Sequence, residues 1–454
     1  MINSEQLITR RTWGVGLLVA VAVLLSCGLS QARADGWPMY GHDLSNSRNA
    51  GDQGPLVQQA SSLQQAWAFT SPTGNFTGTP AVAGGMLVAG DSGGTVYALR
   101  AATGQVVWSR NLGGSINGSA AIDLSAGEGG LVFVPVAVTG GPRLVALSLH
   151  TGQVRWDTTL TTQPTSFAYG SPTFWRGTVF MGTSGPLGDV STARGTVSAL
   201  NESTGAIRWQ TFTVPAGDDG GPVWSTPAID PRTGRLYVGT GNAYHPPAAN
   251  TTDAIMALDS GTGQILGSWQ ANAGDTFDVA DDPVGPDFDF GASPNLLTAG
   301  NGETLVGEGS KDGRYYALDR QTLQPVWQVA LGAGSGLGGV LGSTAYDGTR
   351  VYGAHADTGT VTALSRDGAV DWTSQDHGDF EWSPVAIANG VLYTVDPTGL
   401  LVARDASTGS ILTSLPLGAP SFGGVSIAND RVFVSVGSGF GTAPGSIVAF
   451  SSGG

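Results

Sequence analysis

Four side chains stand outside everything repetitive in this sequence, and each is of a type that does chemistry. Asp289 ends an acidic run, Asp281-Asp282…Asp287…Asp289, shortly before Ser293-Pro294. A carboxylate so placed can accept a proton. Lys311 lies in a loop ahead of a strand, where an ammonium can stabilise developing negative charge. Asn242 follows Gly241 and offers an amide oxygen, a hard donor for a hard cation. Trp224 offers a flat apolar surface and breaks the register of the other tryptophans. Each has a plainer reading. An acidic loop on a chain of pI near 4.5 is usually solvated. An Asn after Gly is usually a turn residue bonded to nearby backbone, and Trp224 can be simple channel packing. The histidines His42, His150, His245, His355 and His377 show no metal-ligand spacing, and no glycine cluster leads into a helix as a phosphate loop would.

The elements that must position these residues come as a repeated phrase. Ala98-Leu99…Thr103-Gly104…Trp108 recurs at Ala146…Trp156, Ala199…Trp209, Ala257…Trp269, Ala317…Trp327, Ala363…Trp372 and, more weakly, Ala403…Thr413. The spacings between tryptophans are 48, 53, 60, 58 and 45 residues, a period padded by insertions. Repeats of this size built from short strands predict radial blades. A second marker, the small-residue lead-ins Thr79-Pro80, Ser119-Ala120, Ser171-Pro172, Thr226-Pro227, Ser293-Pro294, Ser343-Thr344, Ser383-Pro384 and Gly423-Gly424, counts eight. The eighth unit has no closing Trp, whereas Leu63–Trp67 reads as an outer strand with no unit ahead of it. The expectation is an all-β, eight-bladed β-propeller whose N-terminal strand completes the last blade and so pairs an edge that would otherwise stand open.

Composition fits that reading. Glycine, 71 of 454 residues, is about twice the usual share, as turns between short strands require. A net charge of −15 argues against nucleic acid or an anionic membrane as partner. Residues 1–34 read as a signal peptide: Arg10-Arg11, an apolar run from Gly14 to Leu25 too short to span a bilayer, and Ala32-Arg33-Ala34 as cleavage site. A single propeller domain is expected over 35–454. The sole cysteine, Cys27 in Leu24-Leu25-Ser26-Cys27, also makes a lipoprotein box. The expected location is secreted or periplasmic, with a lipid anchor at the membrane surface as the alternative, and no transmembrane segment remains in the mature chain.

The segments between repeats carry a resemblance. Trp37-Pro38-Met39-Tyr40-Gly41-His42-Asp43…Ser47-Arg48, Gly220–Asp230 with Leu236–Asn242, and Asp287–Pro294 with Gly309–Asp319 resemble the quinoprotein alcohol dehydrogenases, which bind pyrroloquinoline quinone (PQQ). The stretch Leu331-Gly332…Gly338–Ser343…Asp347-Gly348 is most similar to the polyvinyl-alcohol dehydrogenase branch. The resemblance implies a PQQ-repeat propeller that oxidises a small or polymeric alcohol by hydride transfer to PQQ with Ca²⁺ assistance. It implies Trp224 as the floor under PQQ and Asn242 as a Ca²⁺ ligand. It makes Asp289 the catalytic base beside the metal and Lys311 the cation at the quinone oxygens. The sequence departs from the family in lacking a Glu in Gly182–Asp189, a vicinal cysteine pair, and an Arg in the second blade, where Arg143 falls in the outer-strand region. No Cys-x-x-Cys-His is present, so no haem c is expected and electrons would pass to a separate acceptor. The rival expectation is a non-catalytic propeller scaffold that binds a protein or glycan at the cell surface.

Overall fold

Among the described residues, thirty-two strands form eight antiparallel sheets of four. They come from a computed structural model that describes residues 36–453, apart from 189, 281–284, 377, 379–381, 397 and 439–443. The leader expected over 1–34, with Arg10-Arg11 and Cys27, lies outside the described residues, as do Asp189, Asp281, Asp282 and His377. Blades 1 to 7 each use four consecutive strands, and blade 8 joins Val425–Ala428, Arg431–Val436 and Ser446–Ser452 to the N-terminal strand Leu63–Thr70. That strand pairs antiparallel with Ser446–Ser452 along its whole length, Leu63 opposite Ser452 and Thr70 opposite Ser446. The expected eight-bladed ring with its N-terminal closure is therefore the observed one. Deleting residues 60–68 opens blade 8 between its outer and third strands. Calorimetry of that deletion is expected to show a lower, broadened unfolding transition instead of the cooperative melt of the full chain.

The repeated phrase is a lock between blades. Trp108 donates its indole N–H to Leu149 O of blade 2, Trp156 to Glu202 O of blade 3, and Trp209 to Ser260 O of blade 4. Trp67 does the same from blade 8 to Ala101 O of blade 1. Each ring lies on the glycine of the next blade's Thr-Gly turn: a Cβ on Gly152 or Gly263 would sit 2.5 Å from the ring of Trp108 or Trp209. Both glycines have φ near +70°, which a side chain also disfavours. Forcing a methyl group there costs about 1–3 kcal/mol by overpacking alone. Blade 5 departs from the phrase because Leu323, at φ 58°, takes the glycine's place and packs beside Trp269 instead. Inner strands are buried throughout, as in Leu131–Val136, and the outermost strands face solvent.

A strap of residues 37–50 ties the inner strands together at one end of the ring. Its carbonyls at Pro38, Leu44, Ser45, Ser47 and Arg48 accept N–H groups of Ile122, Ile229, Leu296, Tyr346 and Ile387, one from each of blades 2, 4, 5, 6 and 7. Arg48 is fully buried and donates to the carbonyls of Val385, Tyr40 and Val425. Its guanidinium lies over the rings of Trp37 and Tyr40. This accounts physically for the Trp37…Arg48 segment, which builds the ring.

Candidate active site

Blades 4 and 5 bring the four candidate residues to one place. Trp224 precedes blade 4's first strand, Ala228–Asp230, and Asn242 follows its second, Arg235–Gly239. Asp289 precedes blade 5's first strand, Asn295–Thr298, and Lys311 occupies the turn between Thr304–Gly309 and Arg314–Asp319. The backbone N–H of Lys311 donates to Asp289 O at 2.9 Å, so the two loops are zipped together before their side chains meet.

The side chains then form a buried ion cluster. Lys311 Nζ donates to Asp289 Oδ2 at 2.9 Å and to Asp287 Oδ1 at 2.8 Å. Asp289 Oδ1 accepts the Asn242 backbone N–H at 2.7 Å. Gly241 must be glycine here, since a Cβ would stand 2.4 Å from Asp289 Oδ1. Burial pulls the Lys311 ammonium down, but Asp289 and then Asp287 overcome it and hold its pKa above the usual lysine value. Lys311 Nζ also lies 5.5 Å above the centre of the Trp224 ring. The Trp224 indole rests on Gly291, where any Cβ would fall on the ring.

Around this cluster opens a cavity of about 500 Å³. Leu187, Phe277, Val279, Leu337 and Trp382 line its apolar walls, with Asp287, Asp289 and Lys311 as its charged end. A largely apolar pocket with few convergent polar groups is the usual form of a small-molecule site. Asn242 is fully buried beside Asp289, its amide N–H₂ held by Ala243 O and Phe277 O, and its Oδ1 has no hydrogen-bond partner among the described residues. A buried amide oxygen without a donor is a free position for a cation. Ser184 Oγ, in the segment without the family's Glu, is likewise buried, unpartnered and on the cavity wall. Arg143 is elsewhere, paired with Asp157 in blade 2. The pocket thus has room and a flat floor for a planar quinone; Asn242 Oδ1 is a spare oxygen donor next to Asp289 but outside the cavity lining, and the Gly182–Asp189 segment lacks the family's Glu ligand to Ca²⁺.

Two members of the acidic run, Asp287 and Asp289, are not solvated as its plainer reading expects, at 5% and 3% exposed. Asp287, Asp275 and Asp253 join the cluster although no repeat or spacing singles them out. Asp275 accepts the Phe288 N–H, which fixes the loop. Asp253, fully buried, has no hydrogen-bond partner on either oxygen among the described residues. A signal for Lys311 was present in composition, since it is the only lysine among 454 residues. Trp382 also had a signal: like Trp224 it stands just ahead of a blade's small-residue lead-in, here Ser383-Pro384 of blade 7.

These buried acids make stability depend on pH in one direction. Burial, then the charge of Asp289, pushes Asp287 up to about 7. Burial raises Asp253, Asp275 and Glu308 as well, and burial with Asp123 pushes Glu202 up to about 8. A folded pKa above the unfolded value means that the native state holds more protons between the two, so stability falls as pH rises through that window. The unfolding midpoint of the protein without added ligands is expected to fall between pH 4 and 7, and Asp287→Asn to flatten that slope. A midpoint that rises over this range contradicts the cluster.

Known proteins share both the repeats and the ring. A sequence family described as outer membrane protein assembly factor BamB, of the PQQ-repeat type, matches residues 53–328 and 193–439. The chain belongs to this family of PQQ-repeat propellers. Within it, the likeness is to quinoprotein alcohol dehydrogenases and runs to the polyvinyl-alcohol branch. The chain is 28% identical over 478 residues to the polyvinylalcohol dehydrogenase of Sphingopyxis sp. (strain 113P3), covering 89% of this chain and 73% of that enzyme. It is 31% identical over 378 residues to the polyvinylalcohol dehydrogenase of a Pseudomonas species, covering 74% of this chain and 59% of the relative. The quinohemoprotein alcohol dehydrogenase structure from Comamonas testosteroni superposes with a TM-score of 0.78 at 20% identity, over 93% of this chain and 81% of that one. The chain is thus alcohol-dehydrogenase-like in sequence and shares its fold with quinohaem enzymes.

Proposed function

We propose that the protein is an exported quinoprotein oxidoreductase that oxidises an alcohol, with PQQ and Ca²⁺ bound in the cavity over Trp224. The observation that carries this reading is the buried Asp287–Lys311–Asp289 cluster at the charged end of an otherwise apolar pocket. Burying three charged groups is costly, and a scaffold has no use for it, whereas reaction centres regularly contain such groups. When bound, the quinone supplies the two-electron oxidant and Ca²⁺ supplies Lewis acidity. Trp224 would support the flat ring, and Asn242 Oδ1 with Asp289 would offer oxygen to the metal. Asp289 would accept the proton of the substrate hydroxyl, and the quinone, when bound, would take up the carbinol hydride. The negative charge of Asp289 is held in place by the Asn242 N–H and by Lys311. The Lys311 ammonium also faces the pocket and stabilises negative charge that develops there.

Because Leu187, Phe277, Val279 and Leu337 present apolar surface to whatever enters the cavity, a secondary alcohol on an aliphatic chain suits the walls better than a charged one. The similar polyvinylalcohol dehydrogenases support the same substrate class. The leader at 1–34 supports export to the periplasm or beyond, and a separate carrier takes the electrons. The test is reconstitution. Purified protein mixed with PQQ and Ca²⁺ is expected to retain quinone absorbance through gel filtration and to melt several degrees higher. Quinone that elutes apart from protein, with no thermal shift at saturating ligand, moves the assignment to the scaffold reading.

A further inference from the structure

His245 stands three residues beyond Asn242 and takes no part in the ion cluster. Its backbone N–H donates to Asp219 Oδ1 at 3.0 Å, and its ring Nδ1 lies 2.6 Å from Asp219 Oδ2. Asp219 comes from the loop ahead of Trp224. On the other side of the ring, Nε2 lies 3.9 Å from Asp278 Oδ2. The Asp278 side chain is 5% exposed, whereas the imidazole is 41% exposed and can exchange protons with solvent.

Asp278 sits in the middle of a wall of the reaction cavity. Phe277 and Val279 on either side of it line that cavity. The segment runs beside residues 243–245: Ala243 bridges Thr276, and the Phe277 N–H donates to Ala243 O at 3.0 Å. Phe277 O in turn accepts Asn242 Nδ2 at 3.0 Å. The Val279 N–H donates to Gly188 O at 3.2 Å, next to Leu187 on the cavity wall. Whatever fixes 276–279 therefore fixes two apolar faces of the cavity and the amide of Asn242.

The geometry couples this segment to one proton. Asp219 takes the Nδ1–H, so a neutral ring presents its Nε2 lone pair to the Asp278 carboxylate. An imidazolium puts an N–H there instead, and one ring then pairs with carboxylates from two loops. The other charges on the packed segments have partners of their own. Asp275 accepts the Phe288 N–H, and Arg194 lies over the Phe212 ring and donates to Val214 O. Asp218 precedes Asp219 in the same loop and adds to its negative field.

We propose that His245 is a positioning residue of the reaction cavity: its imidazolium latches the wall segment 276–279 to blade 4 and, through Phe277 O, sets the amide of Asn242. The latch is closed in acid and loosens as the ring loses its proton. What the wall encloses rests on the quinoprotein reading; the latch itself does not.

Hydrogen exchange of the full-length protein without quinone tests the latch apart from catalysis. The protection factor of segment 276–279 is measured at pH 5 and pH 8 in the wild type, His245→Asn and His245→Arg. The asparagine keeps a group for Asp219 and loses the one facing Asp278, and the arginine stays charged at both pH values. Wild-type protection is expected to fall about two- to fivefold from pH 5 to pH 8, the scale of a partly exposed ion pair. His245→Asn is expected to be low at both and His245→Arg high at both. Wild-type protection that does not change, or His245→Arg as open as His245→Asn at both pH values, overturns the latch. The second readout is affinity for PQQ in saturating Ca²⁺, taken as the ratio of wild type to His245→Asn at each pH so that the titration of Asp287 cancels. That ratio is expected to be about two- to fivefold at pH 5 and to approach one at pH 8. A ratio of one at pH 5 with the segment protected overturns the positioning of the cavity by His245. Protection that behaves as expected in a protein that binds no PQQ overturns the reading of the cavity and leaves the latch standing.

Discussion

Asp289→Asn is expected to lower alcohol turnover by about 10²–10⁴-fold while PQQ binding stays within a few-fold of wild type. The side chain changes by one atom, so Oδ1 still accepts the Asn242 N–H that sets the loop. What is lost is the ability to take a proton at the substrate hydroxyl. The measurement is dye-linked alcohol oxidation of the reconstituted variant beside a quinone-binding titration. The cluster adds a comparison that discriminates. Asp287 shares the same ammonium but approaches Gly336 on the opposite wall, where a Cβ would meet its Oδ2 at 3.1 Å. Asp287→Asn is therefore expected to shift the pH profile and leave most of the turnover, because Asp289 keeps its carboxylate and its ion pair. If Asp289→Asn turns over and Asp287→Asn does not, the base is Asp287.

The ring could be read because its rule is local and repeated. A Thr-Gly turn in one blade and a Trp in the blade before it are two halves of one contact, so each copy of the phrase restates the packing, and Leu323 shows how a copy drifts when another side chain fills the contact. The N-terminal closure was legible for the same reason, since Leu63–Trp67 is an outer strand without a blade. The site obeys no such rule. Trp224, Asn242, Asp289 and Lys311 come from four loops, and only the fold decides that Asp253, Asp275 and Asp287 stand beside them. An aspartate in a Gly-rich acidic stretch looks the same in sequence whether it faces water or an ammonium. What turns Asp287 inward is a φ of 62° and the carboxylate of Asp275 holding its neighbour's N–H, and neither follows from residue type. The strap Trp37…Arg48 misleads in the opposite direction. It carries family resemblance and aromatic residues, yet its buried arginine spends its donors on carbonyls of the ring.

Removing the single lysine is the severest test of the cluster. Lys311→Met leaves Asp287 and Asp289, 5% and 3% exposed, facing each other without a counter-ion. Breaking one partner out of a buried ion pair costs about 3–5 kcal/mol, because the remaining charge is neither solvated nor paired. The variant is expected to melt well below wild type and to bind no quinone, since it also loses the cation over Trp224. The pH dependence carries the sign. Without the ammonium the Asp287 carboxyl, already raised by burial, holds its proton to still higher pH, so the deficit against wild type is smallest near pH 4, where it is neutral, and grows toward pH 7. A second substitution, Asp287→Asn, removes one of the two opposed carboxylates and is expected to restore part of the lost stability at pH 7 but none of the quinone binding. Lys311→Arg keeps the charge and is expected to keep the fold. If Lys311→Met instead melts like wild type at pH 7, the carboxylates are solvated, and the basis for placing the reaction at this end of the pocket is gone.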